Sequence, residues 1–117
     1  MVVALAPRIF DAYNDDSEML NAMAWSMVNP DRPLSNPDLA LAEKAASRAS
    51  ELAKGNDPSV LDTLARVYAA QGHLDKAIAT ESDAVGKASD PDVKSSLSKS
   101  LDGFKARQNH PTTAPAQ

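Results

Sequence analysis

Asp15, Asp16 and Glu18 sit close enough in the chain to suggest a carboxylate cluster for acid–base chemistry or calcium. They also precede an apolar-periodic stretch, where acidic side chains cap orphan helix N–H groups and complement the helix dipole. Capping is the better explanation. His73 and His110 are the only histidines, and neither has a second ligand at helical spacing, so no metal site is expected. The run Ser95-Ser96-Leu97-Ser98-Lys99-Ser100 supplies hydroxyls without a matched base or oxyanion loop. The absence of cysteine removes disulfides, thiolate ligands and thiol nucleophiles. No glycine-rich phosphate loop occurs. The residues therefore predict no catalytic group, no metal and no cofactor.

A chain of 117 residues fits one domain with one continuous core. Abundant alanine, few aromatics and no strand-length alternation predict an all-α fold of closely packed helices. The net charge of −4 is uneven. Residues 1–31 set Arg8 against Asp11, Asp15, Asp16, Glu18 and Asp31, and the remainder is balanced, which argues against nucleic acid as a partner. No segment approaches membrane-spanning length, and the apolar start lacks a basic signal-peptide region. A soluble protein is expected, its compartment open. The abrupt start is equally compatible with a piece of a longer protein.

Asx-Pro pairs divide the chain, because Asp or Asn caps a helix while proline is tolerated at its first position. Asn36-Pro37, Asp57-Pro58 and Asp90-Pro91 predict helices at roughly 37–54, 58–70 and 91–107. Gly72 marks a reversal into a helix at roughly 74–88. Asp15, Asp16 and Ser17 open a helix of about three turns over 18–28, with Leu20, Met23, Ala24 and Met27 on one face. A shorter helix is expected from about Pro7, carrying Ile9, Phe10 and Tyr13, and residues 109–117 read as a disordered tail. Val93, Leu97, Leu101 and Phe104 form the apolar stripe of the last helix.

The elements repeat. Leu39, Ala42 and Ala49 precede Leu74, Ala77 and Ala84 by 35 residues, and Leu20, Met23, Ala24 and Met27 precede Leu61, Leu64, Ala65 and Tyr68 by 41. The difference falls in the proline-bearing loop at 29–35. Leu61, Leu64, Ala65, Tyr68, Gly72, Leu74, Ala77 and Ala84 resemble a tetratricopeptide repeat, with the match covering about residues 18–105. Glu81 departs from it, standing where the family usually has a large apolar residue, and the terminal proline is displaced to Pro91. The paired arrangement is also similar to repeat regions of larger bacterial proteins, some of which carry a thioredoxin-like domain.

The resemblance implies a right-handed superhelix of hairpins at about 17–54 and 58–88, a capping helix at about 91–107, and a helical domain over 1–108. It implies a protein-binding or domain-packing scaffold rather than an enzyme. Asn21, Trp25, Asp62, Arg66 and Ala69 are placed by it on the concave surface, facing a protein or peptide segment or a neighbouring domain. For Trp25 the competing expectation is packing against Phe10 or Tyr13. Arg66 alone is basic there and Asp62 repels anions, so a clamp for a peptide carboxylate is disfavoured. Two rival expectations are a self-associating homodimer, since two hairpins make a short array, and the regulatory end of a thioredoxin-like oxidoreductase.

Overall fold

Local capping chemistry sets where each helix begins. In a computed structural model describing residues 16–29, 31–32 and 36–109, five α-helices follow one another, with no strand among the described residues. Helix α1, Ser17–Val28, starts where Asp16 Oδ1 accepts the Met19 N–H at 3.0 Å. Helix α3, Pro58–Ala70, and helix α5, Pro91–Asn109, begin at the expected Asp-Pro pairs. Asp57 Oδ1 accepts from Ser59 N at 3.0 Å, and Asp90 Oδ1 accepts from Asp92 N at 2.8 Å.

Helix α2, Leu39–Leu52, corrects the expectation at Asn36-Pro37. Its cap is Asp38, whose Oδ1 accepts the Leu41 N–H at 3.0 Å, because a carboxylate satisfies and charge-complements the helix start. The helix therefore starts two residues later than the proline suggests. It closes with Gly55 N–H donating to Ser50 O and Lys54 N–H to Glu51 O, Lys54 taking the left-handed position at φ 58°. Gly72, at φ 86°, serves the same purpose after α3, where His73 N–H donates to Tyr68 O at 2.8 Å. The chain reverses there into α4, Leu74–Lys87. The expected helix from Pro7 and the stretch 110–117 lie outside the described residues. Asn109, expected in the tail, is the last helical residue of α5.

Packing joins α1 to α2, α3 to α4, and α5 to α4, with α3 also meeting both α1 and α2. The core explains the alanine content. Ala42, Ala45, Ala46 and Ala49 are fully buried against Leu20, Ala24, Val60, Leu64 and Val67, and such small side chains let helix backbones approach closely. Beyond α3, Leu97 joins Leu61, Ala84 and Ala88, while Phe104 joins Ala65, Ala69 and Ala77. Val93, expected on that stripe, is instead 43% exposed, because contact with the second hairpin begins only at Leu97.

These contacts give direction as well as neighbours. The start of α1 lies beside the start of α3, and Val28 at its end lies beside Ala69 and Ala70. Along α5, Leu97 meets Leu61 and Phe104 meets Ala69. Helices α1, α3 and α5 thus run in the same sense and share one face.

Candidate functional site

That face brings four of the five expected residues into one constellation. A groove of about 320 Å³ between α1 and α3 is lined by Glu18, Asn21, Trp25, Asp62 and Thr63, among others. Trp25 is half-buried, and the Arg66 guanidinium lies 5.5 Å from its ring centroid, a cation–π distance. Arg66 also donates from Nε to Asp62 Oδ2 at 3.3 Å and from Nη2 to Ser100 Oγ at 2.8 Å. One side chain therefore links α1, α3 and α5.

Ala69 sits differently. At 3% exposure its methyl belongs to the Phe104 cluster, and its carbonyl accepts from Arg107 Nη2 at 3.4 Å. It supplies the floor of a second hollow, of about 210 Å³, lined by Val28, Arg66, Ala69, Ala70, Phe104 and Arg107. Arg107 is exposed and enters from α5, which packs on α4 and reaches α3 through Leu97 and Phe104.

Below the face is a group that sequence reasoning marked only as a departure. Glu81 on α4 is fully buried. Burial first, then a hydrogen bond and repulsion from Asp62, push its carboxyl up to about 9, partly opposed by Arg66. At neutral pH Glu81 is accordingly protonated. As carboxylates, Glu81 through both oxygens and Asp62 through Oδ1 find no donor among the described residues. A proton on Glu81 supplies one, and the two carboxyls then form a donor–acceptor pair.

The repeat offsets make sense of this arrangement. Counting 41 residues, Asn21 and Trp25 of α1 correspond to Asp62 and Arg66 of α3; counting 35, Ala46 of α2 corresponds to Glu81 of α4. Ala46 and Glu81 are both fully buried. The second hairpin thus holds an acid at an interior position where the first, at that offset, holds a methyl, and the acid reaches Asp62 and Arg66. The signal was present in the sequence: Glu81 lies between Ala77 and Ala84 on the apolar stripe of α4.

The expected sequence features that suggested other chemistry are occupied or dispersed. Ser100 accepts from Arg66 and donates to Ser96 O at 3.4 Å. His73 is the exposed residue preceding α4 and makes no side-chain capping bond. Among the described residues no group of three or more His, Cys, Asp or Glu could hold a metal ion, and no helix is long and apolar enough to cross a membrane. The long loop contributes Asn29, whose Oδ1 accepts from Asp31 N at 2.9 Å, and Arg32, which lines a hollow with Trp25, Ser26 and Asn29.

No protein-family model, curated protein or solved structure matches this chain, which leaves the geometry of its own residues as the ground for a functional reading.

Proposed function

We propose that this chain is a tetratricopeptide-like interaction module, without catalytic activity of its own, that holds a segment of a partner protein or a neighbouring domain against α1, α3 and α5. The observation that carries this reading is the shared face: three helices in the same sense, a half-buried tryptophan on α1 and an open groove beside it. Aromatic side chains in such positions commonly anchor interfaces. Buried residues at matched offsets support the repeat reading, since Leu20 and Leu61, Ala24 and Ala65, and Ala42 and Ala77 are all buried. Arg66, Asp62 and Ser100 on the face bond one another rather than surround a reacting atom.

Position-specific photo-crosslinking tests the reading. A photoreactive residue at exposed Ala22, on the groove, should capture the partner from the native source, whereas one at exposed Asp83, on α4, should not. Equal capture from both positions would sink the assignment of the face.

A further inference from the structure

The face carries opposite charges at its two ends. At the end formed by the starts of α1 and α3, exposed Glu18 and half-buried Asn21 line the groove, and Asn21 Oδ1 has no donor among the described residues. At the other end, Arg66 and Arg107 line a hollow with no carboxylate among its described lining residues and an apolar floor from Val28 and Phe104. Exposed Arg32 lies beside Trp25 on that same side, at the C-terminal end of α1.

The charges between these ends cancel. Asp62 and Arg66 are an ion pair at 3.3 Å, and a protonated Glu81 beneath them adds no charge. Among the described residues, Glu18 at one end, and Arg107 with exposed Arg32 at the other, are left as charges that meet a guest. Among the described residues, Arg107 is held by one long bond, to the Ala69 carbonyl. Ten residues of helix separate the levels of Glu18 and Val28, or about 15 Å along the axis, the least distance a bound chain must cross and roughly four or five extended residues.

We propose that this face recognises a dipolar peptide segment of a partner protein, with a lysine or arginine seated beside Glu18 and Asn21 and an aspartate or glutamate beside Arg107. The inference rests on the interaction reading above and specifies its ligand chemistry. Complementary charges at both ends give such a segment its register, and a segment with two like charges always faces repulsion at one end. The Trp25 ring lies under the middle of the bound segment.

Trp25 is the only tryptophan, so its emission reports occupancy directly. The probes are capped alanine octapeptides carrying two charged residues five positions apart: lysine then glutamate, glutamate then lysine, two lysines, or two glutamates. At low salt, at least one mixed peptide should saturate the Trp25 signal about tenfold more tightly than either like-charged peptide. Glu18→Lys should transfer the preference to the two-glutamate peptide, and Arg107→Glu to the two-lysine peptide. Both positions are exposed, so the variants fold as the parent does, which circular dichroism verifies. Saturable binding that ignores charge pattern, or that the reversals leave unchanged, overturns the charge assignment while leaving the face as a binding surface. No Trp25 response to any of the four peptides overturns both.

Discussion

Glu81 makes the stability of this molecule depend on pH in a direction opposite to that of a salt-bridged acid. Its carboxyl holds a proton up to about pH 9 in the folded protein, against an ordinary value of 4.5, so between those values the folded state binds the extra proton. The stabilisation is complete below pH 4.5 and is lost as pH rises through that window, at about 1.4 kcal/mol per unit. Glu81→Gln keeps a donor for Asp62 and removes the titration. It should flatten the profile and stabilise the protein at pH 7 by up to about 3 kcal/mol. Denaturant melts of both proteins from pH 5 to 9 check this, and parallel profiles would show that Glu81 is not the titrating group. Arg66 invites the complementary test. Its side chain is only 24% exposed and bonds both Asp62 and Ser100, so Arg66→Ala should lower stability by about 1–2 kcal/mol after allowance for solvent screening. Arg66→Lys should recover only part of that, because an ammonium cannot reproduce the planar fork. Variants equal to the parent in denaturant midpoint would remove Arg66 as the link between the three helices.

Helix boundaries were legible wherever capping and proline agreed, as at Asp57-Pro58 and Asp90-Pro91. They were misread at Asn36-Pro37, where Asp38 offered a charged cap one residue beyond the proline and took the helix start. The helix ends follow the same logic of single positions. Both α2 and α3 close through positive φ, but α3 uses Gly72 whereas α2 uses Lys54 followed by Gly55, and for Lys54 a left-handed backbone is strained. Lys54→Gly should therefore raise the unfolding free energy by up to about 1 kcal/mol, and Gly72→Ala should lower it by a similar amount. Open space surrounds a Cβ at Gly72, so backbone strain alone is being measured there. A thermal midpoint that moves the other way in either variant would contradict the two turn geometries.

At the level of the whole molecule, capping punctuation and the repeat offsets made α1, α2, α3 and α4 readable, and the tetratricopeptide resemblance singled out Asn21, Trp25, Asp62, Arg66 and Ala69, of which the first four come together. What they could not provide was how α5, packed on α4, would bring its side chains to α3. That placement brings Ser100 to Arg66 and Arg107 to the Ala69 carbonyl, and no periodicity within α5 encodes which helix it will lie beside. An amphipathic stripe specifies that a helix covers something, and its partner is set by the shape of the exposed hairpin. Phe104 is the residue through which this shape is read: it is 7% exposed and fills the space among Ala65, Ala69 and Ala77, three methyls that cannot close over a void. Phe104→Ala should accordingly destabilise the protein by about 3–4 kcal/mol, a large part of the stability of an ordinary domain. Its effect should also reach Trp25 through Arg66, which loses Ser100 once α5 loosens. Tryptophan emission and circular dichroism followed together through a denaturant titration separate the two outcomes. Coincident transitions at a lowered midpoint are expected if α5 is integral to one cooperative unit; a parental midpoint at Trp25 with early loss of helix would make α5 an independent appendage.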